Sequence, residues 1–282
     1  MDEAVARIGA ARGRGIDVMA SVYPYTASST GLDAVLPGWF EGEAPDETIA
    51  RLGDPAWRDS LAGYLGGRDQ GGDWNLATSA GGPEGVLISD MVTDSLERYE
   101  GLRLSEIAAE RGQTAGETVI ELLIADSLRT SAIYFSMSED DLETALRQPW
   151  VMIGGDAGIR ALDGPLSTDQ PHPRAFGTFP RVLCRYARER GVLSLEEAVR
   201  RMTSLAAERI RLTGRGVLEP GAHADVTVFD PETVCDTATF EEPKRPATGI
   251  RHVLVNGVPV LRDGEPTGAT PGRGLRHGSA DF

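Results

Sequence analysis

The sequence predicts an α/β protein closed by a β-rich tail, and three observations carry that reading. A helix-forming run at residues 4–11 leads directly into a mostly apolar run of strand length at 16–23. Two further strand-length runs, 131–137 and 150–153, are joined by a helical pattern. Beyond residue 212 the apolar period changes from helical to two.

The opening helix carries Asp2 and Glu3 where its N-terminal dipole favours them and ends at Gly13 and Gly15. The run 16–23 is stopped by Pro24 and a polar stretch, and is expected to form a buried parallel strand. Residues 37–90 are rich in Gly, Pro and Asp, most densely at 66–73, which predicts turns and an irregular insertion. Helices follow at 104–111, stopped by Gly112, and at 118–128, where Val119, Leu122 and Leu123 share a face. After the strand at 131–137, Ser138 and Asp141 resemble a capping box for a helix carrying Leu142 and Leu146 and ending before Pro149. The strand at 150–153 stops at Gly154-Gly155-Asp156, and 178–212 is helical, with Ser194 ahead of Glu196-Glu197 as a start signal. In the tail, Asn256-Gly257 between apolar runs predicts a two-residue hairpin.

The 282 residues carry 43 acidic and 28 basic side chains, a net charge of -15 that opposes nucleic acid as a partner. Neither a secretion signal nor an apolar run of about 18 residues is legible, so a cytoplasmic protein with no membrane partner is expected. The two cysteines, Cys184 and Cys235, form no CxxC and are expected to be buried free thiols.

Asp156 leaves the C-terminal end of a predicted parallel strand, the place where α/β barrels carry catalytic groups. It suits a general base; the other reading, the commoner use of Asp at such a place, is the cap of a following turn. His172 and Arg174 sit in a Pro-rich loop expected to be exposed. Arg174 suits a substrate carboxylate, and His172 an oxyanion or a metal; a plain surface turn is the other reading. Tyr23 and the serines Ser28 and Ser29 end the first strand, as pocket lining or as packing. The four histidines have no HxH, HExxH or HxxxH spacing, so the residues alone spell no metal site.

The tail Gly214-Arg215-Gly216-Val217-Leu218-Glu219-Pro220-Gly221-Ala222-His223-Ala224-Asp225, followed by Val255-Asn256-Gly257, resembles the closing signature of the amidohydrolase superfamily. Met202-Thr203-Ser204-Leu205-Ala206 is similar to its last helix, with Ala206 where Pro is usual. Val22-Tyr23-Pro24-Tyr25, Gly154-Gly155-Asp156-Ala157 and His172-Pro173-Arg174 resemble the D-aminoacylase family, the N-acyl-D-amino-acid deacylases, although that family usually reads Gly-Ser-Asp-Gly at the second motif.

The resemblance implies the C-terminal part of a zinc-dependent (β/α)8 barrel with an inserted subdomain and half of a β-sandwich. On that reading residues 1–36 are a barrel helix and strand, 37–129 the insertion with its helices, 130–212 the last barrel strand region, and 213–282 the β-rich module. The implied substrate is a small N-acyl-D-amino acid, hydrolysed by a zinc-activated water with Asp156 as general base. Tyr23, Ser28, Ser29, His172 and Arg174 would contact substrate, and Asp156 would be at most a weak ligand of a second metal. The family's HxH and its other main zinc ligands would precede residue 1. The chain is therefore expected to be inactive alone and to need a complementary N-terminal segment or chain. The alternatives are a non-catalytic scaffold subunit, or an amidohydrolase acting on a cyclic amide or a dipeptide.

Overall fold

The computed structural model describes residues 1–65 and 76–276. The run at 66–73, predicted to form turns, and His277 lie outside the described residues. In chain order the elements are α1 (Asp2–Gly13), β1 (Ala20–Val22), β2 (Ser28–Gly31), α2 (Pro45–Gly53), α3 (Pro55–Leu65), α4 (Leu76–Ser79), β3 (Val86–Asp90), α5 (Leu104–Arg111), α6 (Ala115–Ala125) and β4 (Ser131–Tyr134). They continue as α7 (Glu139–Leu146), β5 (Val151–Ile153), α8 (Arg174–Arg181), α9 (Leu195–Met202), α10 (Ser204–Arg209), β6 (Val226–Phe229), β7 (Ile250–Val255), β8 (Val258–Arg262) and β9 (Glu265–Pro266). The chain divides into two compact units that alternate along the sequence.

The first unit holds Met1–Pro24, Asp140–Gly158 and the chain from Pro173 on. Here β1 and β5 pair in parallel, Ala20 with Val151 and Val22 with Ile153, as the apolar runs predict. The expected burial is not found. Ser21 is exposed, and Ile16 lies outside the strand and is exposed. The reason is the pleat: Val22 packs against the core cluster, and Ser21, its neighbour along the strand, points to the opposite face, which is uncovered. Leu146, Ile153, Val182 and Tyr186 form the core of this unit.

The helix after the 154–173 loop begins at Arg174, four residues before the predicted start, and is interrupted. Pro180 lacks the N–H that the ladder needs, and the segment Val182–Glu189 that follows is π-helical. Ser194 caps α9 as expected, its Oγ accepting from the Glu197 N–H at 3.2 Å. The tail is an antiparallel sheet in the order β6-β7-β8-β9. Its β7–β8 turn is Asn256-Gly257, both at positive φ (49° and 79°), the geometry a two-residue hairpin turn requires.

The second unit, Tyr25–Glu139 with Ile159–His172, is built on an antiparallel sheet in the order β2-β4-β3. The strand predicted at 131–137 is its central member and ends at Tyr134. Against it pack the apolar faces of α5 and α6, with Ile107, Val119, Ile120 and Leu123 in one core cluster. Gly112 closes α5 in the left-handed conformation (φ 64°), and a Thr114–Glu117 capping box opens α6.

Residues 37–90 are not irregular throughout: α2 and α3 occupy most of 45–65. Pro45 and Pro55 each stand at a helix start, where the missing N–H is harmless and the fixed φ suits a helix. Asp54 accepts from the Ala56 N–H at 2.9 Å, supplying the cap ahead of Pro55.

Candidate active site

In the first unit the β1–β5 ladder carries the candidate base. Beyond Ile153, the Gly154 N–H donates to the Val22 carbonyl at 3.0 Å, so the pairing continues one residue past the strand. A Cβ at Gly154 would lie 2.5 Å from Ser21 Oγ, and glycine lets the chain pass. Asp156 then takes a left-handed backbone (φ 44°), which short polar side chains tolerate better than most. Its side chain is 67% exposed.

Arg174 is the first residue of α8 and only 8% exposed. Its Nη2 donates to Asp156 Oδ2 at 2.9 Å, and the guanidinium carbon lies 4.5 Å from the centre of the Tyr23 ring. Burial pushes the Tyr23 hydroxyl above its ordinary value, with Arg174 pulling it back and Asp156 adding to the rise. Tyr23 therefore stays a neutral phenol at physiological pH. Three residues singled out in the sequence, Tyr23, Asp156 and Arg174, thus form one cluster.

The other three lie in the second unit. His172 is 5% exposed, its Nε2 donating to the Ala27 carbonyl at 3.0 Å and its ring edge-on to Tyr25 at 5.2 Å. The loop bearing His172 and Arg174 was expected to be exposed; both side chains are buried, because each finds a polar partner and an aromatic ring. Ser28 and Ser29 are consecutive on β2, opposite Tyr134 and Ile133, so they face opposite sides of the sheet. Ser28 Oγ is buried and has no hydrogen-bond partner among the described residues.

Two features escape the sequence reading. Arg181, two helical turns beyond Arg174, donates from Nε to the Pro24 carbonyl at 2.8 Å and from Nη1 to Asp236 at 3.0 Å, anchoring the backbone next to Tyr23. The spacing Arg174, Arg181, Arg188, seven residues each, is the signal that could have found it. The cysteines are not free: Cys184 and Cys235 form a disulfide, their Cα atoms 4.9 Å apart although 51 residues separate them. The segment after β6 returns to α8's continuation and brings the two sulfurs together.

Zinc requires about three protein ligands around one point. Among the described residues the single such grouping of His, Cys, Asp and Glu is Cys184, Cys235 and Asp236, whose sulfurs are bonded to each other. Asp156 does not belong to that grouping. The side chains described do not make a zinc site on their own.

The sequence model of the "Amidohydrolase family" matches residues 105–261, which include Asp156 and Arg174. The D-aminoacylase of Alcaligenes xylosoxydans xylosoxydans is 47% identical over 180 residues, 64% of this chain and 35% of that protein. The N-acyl-D-glutamate deacylase of the same organism is 36% identical over 272 residues, 96% of this chain and 44% of that protein. A D-aminoacylase crystal structure superposes over 95% of this chain and 44% of its own with a TM-score of 0.69 at 36% identity. The N-acyl-D-glutamate deacylase of Bordetella bronchiseptica, solved with zinc and a phosphonate mimic of the reaction's tetrahedral intermediate, matches 93% of this chain and 44% of its own at a TM-score of 0.66 and 34% identity. The chain spans less than half the length of these relatives. Zinc is thus a metal of the family. On the family match and these likenesses the chain belongs to the amidohydrolase family, among the D-aminoacylases.

Proposed function

We propose that this chain supplies the proton-transfer side of an N-acyl-D-amino-acid deacylase, acting together with the part of the relatives' length that it does not span. In this reading β1 and β5 are neighbouring strands of a (β/α)8 barrel, the second unit is its inserted subdomain, and β6 to β9 are half of a β-sandwich. The family's zinc would be held chiefly by residues in the part of the relatives' length that this chain does not span.

The observation that carries the reading is the Asp156–Arg174 pair at the end of β5. An exposed carboxylate held in direction by a buried guanidinium is a base aimed outward. Asp156 takes a proton from water as the oxygen bonds to the acyl carbon, and returns it to the amide nitrogen as the C–N bond breaks. The products are a carboxylate and a free D-amino acid. Arg174 meets the substrate's carboxylate while keeping Asp156 in place, and the neutral Tyr23 phenol borders the same spot. Ser28, Ser29 and His172 are assigned to the substrate side on family likeness, Ser28 with the added support of its unpartnered hydroxyl.

The test is a chimera in which this chain replaces the matching segment of the Alcaligenes N-acyl-D-glutamate deacylase. Release of D-amino acid from a panel of N-acetyl-D- and N-acetyl-L-amino acids is the readout. The D-substrates are expected to turn over, and Asp156→Asn is expected to lose about 10²–10⁴-fold. A folded, zinc-loaded chimera inert toward every N-acyl-D-amino acid would overturn the reading.

A further inference from the structure

We propose that the Cys184–Cys235 bond is an exchange-active disulfide, opened at Cys235 by low-molecular-weight thiols. This stands apart from the deacylase reading, since it rests on the surroundings of two sulfurs that the reaction does not use.

In thiol–disulfide exchange the attacked sulfur must be reached and the departing sulfur must bear negative charge. The two sulfurs are divided along that line. Cys235 is half-buried on the segment after β6, whereas Cys184 is 2% exposed within the π-helical segment. Beside Cys184 Sγ lies the Arg188 guanidinium, Nη2 at 3.1 Å, and a neighbouring cation favours the thiolate. That charge is fixed by the backbone: Arg188 Nη1 donates to the carbonyls of Pro231 and Val234, both at 2.9 Å. Glu189 Oε1, 3.2 Å from the same sulfur, is an acceptor for the S–H of a protonated thiol. Both reduced forms of Cys184 therefore have a partner already in position, and a permanently oxidised sulfur would need neither.

A thiolate bonds to Cys235 Sγ, the Cys184–Cys235 bond breaks, and its electron pair goes to Cys184 Sγ beside Arg188. A second thiolate attacks the mixed disulfide at the small-molecule sulfur, releasing Cys235 and an oxidised small disulfide. Two thiols are oxidised and one protein disulfide is reduced; the small disulfide drives the reverse. A metal site is the competing use of this cluster, since both sulfurs and an Asp236 oxygen lie within 4.8 Å of one another. Two fixed guanidiniums oppose it: Arg188 at Cys184 and Arg181 on Asp236 at 3.0 Å.

The full chain is incubated without denaturant in mixtures of reduced and oxidised glutathione, quenched with acid, alkylated and mapped by peptide mass. Glutathione is expected on Cys235 with the alkyl label on Cys184. Arg188→Leu is expected to slow exchange about tenfold, and Glu189→Gln to speed it by removing the opposing charge. Glutathione on Cys184, exchange only after denaturation, or stoichiometric zinc retained by the reduced chain overturns the proposal. If Arg188→Leu loses the native circular dichroism, the wild-type attack site and Glu189→Gln decide.

Discussion

Arg174 and Asp156 meet at 2.9 Å with opposite exposures, the guanidinium buried and the carboxylate facing outward. Such a pair is asymmetric in what each loss would do. Removing Asp156 removes the proposed base, whereas removing Arg174 removes its alignment and uncovers one face of Tyr23.

Arg174→Ala in the chimera is expected to lower kcat/KM by about 10²-fold, within the range of positioning losses. Arg174→Lys should recover little, because a point charge replaces a planar group that both donates to a carboxylate and covers a ring. Steady-state kinetics of the two variants check this; full activity in Arg174→Ala would remove the residue from the site.

Gly154 offers a test by compensation. The added Cβ of Gly154→Ala meets Ser21 Oγ at 2.5 Å but Ser21 Cβ only at 3.8 Å, so the hydroxyl is the obstacle. Gly154→Ala is expected to displace the Asp156 turn and lower activity, and Gly154→Ala with Ser21→Ala to regain most of it. An equally impaired double variant would show that the constraint lies elsewhere.

Glu197 links α9 to pH. The Arg200 hydrogen bond, helped by Arg201, holds its carboxyl down at about 2. A depressed carboxyl contributes stability above its unfolded value and loses it as pH falls through the folded one, so the contribution disappears between about pH 4.5 and pH 2. With partial exposure allowed for, Glu197→Gln should cost on the order of 1–2 kcal/mol at pH 7 and nothing near pH 2, read from urea midpoints.

Asp90, at the end of β3, has the opposite sign. Burial and the neighbouring Asp169 raise its carboxyl, so ionising it works against the fold as pH rises through the raised value. Asp90→Asn is expected to have a higher urea midpoint than the wild type at pH 7 and an equal one at pH 3. A lower midpoint at pH 7 would mean that the carboxylate makes a contact outweighing its burial.

What could be read from the sequence was local. Gly112, Ser194 and Asn256-Gly257 act within a few residues of themselves, and each does what its chemistry dictates. The composition of 37–90 hides two helices because Pro is a breaker inside a helix and a starter at its first position, as at Pro45 and Pro55, and density alone cannot tell these apart. The site divides in the same way. The place of Asp156 just past β5 was legible from Gly154-Gly155 and the strand before it, but the burial of His172 depends on a carbonyl 145 positions away. The disulfide likewise depends on a return of the chain that neither cysteine's neighbours encode.

The alternation of the two units along the chain sets an order of assembly. The ladder partners Ala20 and Val151 of β1 and β5 have nearly the whole of the second core between them in sequence, and contacts of long separation form late. Residues 25–139 carry the complete β2-β4-β3 ladder and an apolar core of their own. Their collapse shortens the loop that β1 and β5 must close. Pulse-labelled hydrogen exchange should find β4 and α6 protected before β5, so the strand that positions the proposed base is among the last parts of the molecule to become ordered.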